Sequence, residues 1–409
     1  MNAHFPNVSF TLLESHTKRL TKGYSNTDGK LTKEPAGRLA EGTATKISIN
    51  LDELADFSSN LTPFQAICHG SFGHEHVKIQ TKNIADGVTS FSKSLDYFKF
   101  DNGVPALLML DYDPSDRGFV ISSATHLVEV VSQICPDIKN AAFVSRPSAS
   151  AGITDSNGKS LTEDDGQHLY IAAKDGSDIP RFIEALFKRL ILARYGHVKI
   201  SKSGSILIRS IIDKVVGSPE RIDYAAPAVL GEGLSRKVLP TASKPGGMLD
   251  TSSLKDLSPE EEQQYNDIRA KLKSEVKKES EQLRNHYIAE RAKKTGQSNS
   301  QIRKQLSSAD KGNLDPSQIL IPDTGTEVTV AKILSNPVQW HDQTFSDPLE
   351  PEKGPNKAKL FVNSDGSIIL HSFIHGEYNF TLRKPTQPNN HSEITCEQLE
   401  WARTAPIEE

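Results

Sequence analysis

The feature that most limits how this chain can fold is the run Pro105-Ala-Leu-Leu-Met-Leu-Asp111-Tyr-Asp113-Pro114, in which unbroken apolar residues end on two carboxylates two positions apart. Residues 107–110 offer no polar face, a pattern that fits a strand covered on both sides of its sheet. Pro114 and the polar Ser115-Asp116-Arg117-Gly118 stop it. Side chains two apart on a strand point the same way and lie about 7 Å apart along the backbone. Asp111 and Asp113 can therefore converge on cations at the sheet's open end. Two divalent ions about 4 Å apart are the usual device for in-line displacement at phosphorus. The competing reading is an acidic turn after a core strand, and the residues downstream favour the first.

A chain of 409 residues has room for two or three domains and ample core. Its formal charge of −4 carries no global nucleic-acid signature. That argues against a protein that coats DNA and leaves room for an enzyme with a local basic channel. No apolar run approaches the roughly 20 residues a spanning helix needs, so no membrane role is expected. The first residues lack the basic-then-apolar order of a signal peptide. The three cysteines, Cys68, Cys135 and Cys396, are far apart and odd in number, which suits a reducing cytoplasm better than a disulfide framework.

Strands alternating with helices make the fold class α/β, or α+β. Residues 1–40, polar and rich in Thr, Lys and Gly, read as a flexible lead-in. Residues 41–235 read as the principal domain. Its best helix begins near Pro180 and repeats Phe182, Ile183, Leu186, Phe187, Leu190 and Ile191 at helical spacing. Residues 206–213 read as a strand ending on Asp213. Residues 236–317 read as a Ser/Pro/Gly linker followed by a charged helix with a thin apolar stripe, one edge packed and the rest solvated. Residues 318–385 read as a small β-rich accessory unit with Asp365-Gly366 as a hairpin turn, and 386–409 as a polar tail.

Three elements stand in order: Leu-Asp111-Tyr-Asp113, then Gly166-Gln-His168-Leu-Tyr170, then Ile211-Ile-Asp213. An acidic pair, a small-x-His element and a hydrophobic-Asp element in this order resemble the catalytic signature of the archaeo-eukaryotic primase superfamily. Arg146-Pro-Ser, Lys199-Ile-Ser-Lys202-Ser-Gly204 and Ser218-Pro-Glu-Arg221-Ile-Asp-Tyr look more narrowly like primase–polymerases of phages and integrative mobile elements. The similarity extends over about 40–385.

The resemblance implies a primase-type core with an RRM-like sheet and a cytoplasmic, template-dependent DNA primase or polymerase. Asp111, Asp113 and Asp213 would hold Mg²⁺ or Mn²⁺, hard ions that prefer carboxylates. His168 would contact the incoming triphosphate, with Ser148, Ser150, Lys199, Ser201, Lys202 and Arg221 as further nucleotide contacts. The implied partners are a single-stranded DNA template and primer and nucleoside triphosphates. With no Gly-x-x-x-x-Gly-Lys-Ser/Thr loop in these residues, a helicase is expected in trans.

Two other readings share these residues: a non-catalytic replication-initiation module that keeps the fold for DNA binding, and a two-metal nuclease. The Cys68-His69-Gly-Ser-Phe-Gly-His74-Glu-His76 run offers four metal-ligand types, but its spacing fits no standard zinc site and it reads as a polar loop.

Overall fold

The apolar run around Leu108 forms the strand Ala106–Tyr112, and alternation splits its side chains between two cores. Leu108 and Leu110 enter one core with the helices Ala124–Ser132 and Ile179–Leu192; Leu107 and Met109 enter the other. The computed structural model describes residues 4–27, 30–81, 84–162, 166–354, 356–374 and 379–383. The expected polar tail at 386–409, with Cys396, lies outside them.

The architecture is mixed α/β, in two compact units: 1–197 with 208–271, and 198–207 with 272–409. Two sheets of the first unit frame its cores, beside smaller two- and three-stranded ones. The larger runs in the order Ile222–Asp223, Gln65–Cys68, Asn7–Ser15, Gly42–Asn50, His76–Ile79, Ser90–Phe91. The smaller runs Ser243–Lys244, Phe143–Pro147, Gln167–Ala173, Ala106–Tyr112, antiparallel throughout. They share one apolar cluster: Phe10 and Ile67 from the larger sheet meet Met109, Val144 and Tyr170 from the smaller.

Several sequence expectations need correction. Residues 1–40 are not a loose lead-in: Asn7–Ser15 pairs on both edges, and Val8, Phe10 and Leu13 are buried. The Asp111 strand is not central but the last of its ladder. Its outer edge is closed by the Asp213 N–H, which donates to the Asp111 carbonyl at 3.0 Å. The strand expected over 206–213 ends at Arg209; Ile211 and Ile212 turn into the core instead. The stretch expected as a linker after 236 adds an edge strand and places Leu249 and Leu254 in the same core. The charged helix is two, Pro259–Glu275 and Lys277–Thr295, and only Tyr265 and Ile268 of its stripe join the first unit's core.

In the second unit, Thr344–Phe345, Ala358–Val362, Ile368–Ser372 and Asn379–Arg383 form an antiparallel meander around Phe345, Leu360, Leu370 and Phe380. Gly366, at φ 78°, turns the Asp-Gly hairpin. Among the described residues no helix is long and apolar enough to cross a membrane.

Phe10 is fully buried and meets Phe57 edge-on at 5.3 Å. Phe10→Ala is expected to lower unfolding free energy by about 3–5 kcal/mol in a denaturant titration. An unchanged midpoint would make the N-terminal strand dispensable.

Candidate functional site

Register across the smaller sheet places three charged or polar side chains in one row. His168 lies directly opposite Asp111 on one side and Arg146 on the other. Period two sends all three to the face that carries Met109, Tyr170 and Val144, against the larger sheet. From that sheet comes Asp223, opposite Ile67 in the short pairing of Ile222–Asp223 with Gln65–Cys68.

Asp223 is the hub. Its side chain is 2% exposed. The Arg146 guanidinium donates from Nη2 to Asp223 Oδ1 at 3.1 Å and from Nε to the Tyr170 hydroxyl at 2.8 Å. Tyr170 donates to Asp223 Oδ2 at 2.6 Å. His69 Nε2 and His168 Nδ1 stand 3.5 and 3.6 Å from the same carboxylate. Burial alone would raise the Asp223 pKa; the Arg146 charge and the two histidines overcome it and hold the carboxyl well below the usual range. Burial, with the Asp223 charge beside it, pushes the Tyr170 phenol well above its ordinary value against the pull of Arg146.

Asp111 stands in the opposite condition. Its Oδ1 is 3.4 Å from His168 Nε2, yet this buried oxygen has no hydrogen-bond partner among the described residues. Burial first, then the charges of Asp113, Asp213 and Asp223, push its carboxyl up to about 6 against the opposing pull of His168. Asp113 lies exposed just past the strand end. Asp213 is tied to Asp111 through the backbone and caps a short 3-10 turn, its Oδ1 accepting from the Val215 N–H at 3.1 Å.

This donor set suits a hard cation: several carboxylates within electrostatic reach, one carrying an unpartnered buried oxygen. Among the described residues, no three His, Cys, Asp or Glu side chains already surround a common point at ligand distance. A bound cation therefore requires side-chain rotation at Asp111, Asp113 or Asp213.

The Ser-rich segment also reaches this end of the sheet. Ser148 N–H donates to the Gly166 carbonyl at 2.9 Å, and Ser148 Oγ pairs with Ser150 Oγ at 3.2 Å. A Cβ on Gly166 would lie 2.8 Å from Ser148 Oγ, which explains the small residue two before His168. Arg221 is half-buried in the segment leading to Asp223, and its charge acts on Lys93 and Tyr224. Lys199, Ser201 and Lys202 fall in the second unit. There Ser201 is buried, bonded to Ser203 Oγ and to the Ser205 N–H.

The Cys68–His76 run disperses. The Cys68 thiol donates to the Pro219 carbonyl, His74 packs on Phe91, and His76 bonds Thr45; only His69 joins the site. The residues not assigned from sequence are Asp223, Arg146, Tyr170 and His69. Tyr170 carried one usable signal, its position two after His168 and hence on the same strand face.

Comparison with family models, with curated proteins and with solved structures finds no match.

Because the folded Asp111 carboxyl titrates near 6 and an unfolded one near 4, the folded chain holds a proton between these values that the unfolded chain has lost. Asp111's contribution to stability therefore falls as pH rises through about 4 to 6, and its penalty, about 3 kcal/mol, is complete above that window. Metal-free Asp111→Asn is expected to gain stability over wild type from near zero at about pH 4 to that amount at about pH 7.5. Denaturant titrations at the two pH values check it; a constant difference would contradict the assignment.

Proposed function

We propose that the chain is a template-dependent nucleotidyltransferase, a DNA primase–polymerase of the archaeo-eukaryotic primase type from a phage or mobile element. The observation that carries this reading is the convergence of three elements scattered through the sequence. His168 registers opposite Asp111, and the Asp213 N–H closes onto the Asp111 carbonyl. An acidic turn after a core strand would give no reason for a histidine and a third aspartate to gather at its end.

In this reading Asp111, Asp113 and Asp213 hold Mg²⁺ or Mn²⁺. Such ions, when bound, lower the pKa of an attacking 3′-hydroxyl and neutralise charge on the phosphoryl oxygens. His168 has a fixed orientation. Its Nδ1 lies 3.2 Å from Arg146 Nη2 and 3.6 Å from Asp223 Oδ1. Its Nε2 lies on the Asp111 side, 3.4 Å from Asp111 Oδ1, and in this reading meets the triphosphate there. Arg146 and Asp223 hold that ring in place, and Ser148 and Ser150 add hydroxyls beside Gly166.

A primer-extension assay on a primed single-stranded template, with Mg²⁺ or Mn²⁺ and with dNTPs or NTPs, tests the reading. Wild type should extend the primer. Asp111→Ala combined with Asp113→Ala should abolish incorporation while the melting temperature holds or rises, because like charges have been removed. Cleavage without extension would favour a nuclease. Folded protein that binds template and does neither would favour a replication-initiation module.

A further inference from the structure

Arg146 also lines a hollow of about 220 Å³, whose walls include Ser58, Ser59, Pro227, Arg236 and Lys237. Three cations border it, and no Asp or Glu is among its lining residues. Arg236, on the strand Leu234–Arg236, is half-buried. It donates from Nε to the Ala151 carbonyl at 3.0 Å and from Nη2 to the Ser148 carbonyl. No carboxylate pairs with it among the described residues. Burial first, then the nearby Arg146 charge, lower its pKa. The Lys237 ammonium, on the rim, bonds Ser160 Oγ.

A second observation is independent of these charges. Ser58 is 1% exposed, and its hydroxyl has no hydrogen-bond partner among the described residues. An unpartnered buried hydroxyl is destabilising unless something supplies its bond. Ser58 is one of the residues lining the hollow that Arg146, Arg236 and Lys237 border.

We propose that this hollow is a phosphate-binding site, in which the guanidiniums of Arg146 and Arg236 clamp the oxyanion and Ser58 Oγ donates to it. Arginine forks match tetrahedral oxyanions in geometry as well as charge. The phosphate has two sources, the tail of a nucleotide or the backbone of a single strand. Because Arg146 also touches His168 and Asp223, an anion seated here bears on the candidate active site through a shared side chain. The site itself needs neither metal nor catalysis.

Calorimetric titration of the full chain with inorganic pyrophosphate, in chelator-treated buffer, tests it. Wild type should bind, Arg236→Ala should weaken binding by about tenfold to a hundredfold, as expected for a charge-assisted hydrogen bond, and Ser58→Ala should also weaken it. Ser58→Ala should melt at the wild-type temperature or above, so it decides the matter if Arg236→Ala, which loses its bonds to Ala151 and Ser148, fails to fold. Competition by dATP identifies a nucleotide tail, and competition by a short oligodeoxynucleotide identifies a backbone phosphate. No binding to wild type, or wild-type affinity in Ser58→Ala, would overturn the proposal. Asp111→Ala/Asp113→Ala protein should bind as wild type does, so the site can stand even if nucleotide incorporation is never seen.

Discussion

One buried ion pair, Asp223 with Arg146, joins the six-stranded and four-stranded sheets of the first unit at their polar end. Asp223 comes from the larger sheet and Arg146 from the smaller, and Tyr170 completes the carboxylate's second oxygen. Ionised groups so deeply buried are tolerated only when paired and hydrogen-bonded. Loss of one partner from such a pair is destabilising by about 3–5 kcal/mol, because the other charge is stranded. The position of His168 follows from this pair, since its Nδ1 lies within 3.2 Å of Arg146 Nη2 and 3.6 Å of Asp223 Oδ1.

Two carboxylates stand on either side of His168 and have been driven in opposite directions. Asp223 has a guanidinium, a phenol and two imidazoles around it, and its charge is held. Asp111 has one imidazole and three other carboxylates, and its proton is retained to about pH 6. Burial acts on both in the same sense, so the difference lies in the neighbours. Asp223 is satisfied by the protein alone, whereas Asp111 is left with an unpartnered oxygen that a divalent cation would relieve. A structural role explains the first carboxylate; the second fits the cation role proposed for it.

Much of this was legible in the sequence where a pattern is local. The run through Leu107 and Leu110 announced a strand covered on both faces, and the helix around Leu186 announced itself by spacing. The edge position of the Asp111 strand was not legible, because what closes that edge is a main-chain bond from Asp213, about a hundred residues away. The strand at Phe10 was hidden by its polar surroundings, although Val8, Phe10 and Leu13 are among the buried residues. Asp223 stands in the 218–224 stretch with no role of its own in the sequence reading, and the pairing of Ile222 with Cys68 brings it to Arg146. Lys199 and Lys202, nucleotide contacts by the resemblance, lie in the second unit, where the serines beside them bond one another and the Ser203 carbonyl accepts from Arg284.

The central claim is that Asp111, Asp113 and Asp213 form a cation site whose charge repulsion is unrelieved in the metal-free chain. Titration of the full chain with Mn²⁺ at pH 7.5, followed by electron paramagnetic resonance with thermal melts in parallel, measures this directly. The account predicts saturable Mn²⁺ binding that raises the melting temperature of wild type, with both effects lost in Asp111→Asn. Mn²⁺ bound equally well by Asp111→Asn, or not bound by wild type, would contradict it.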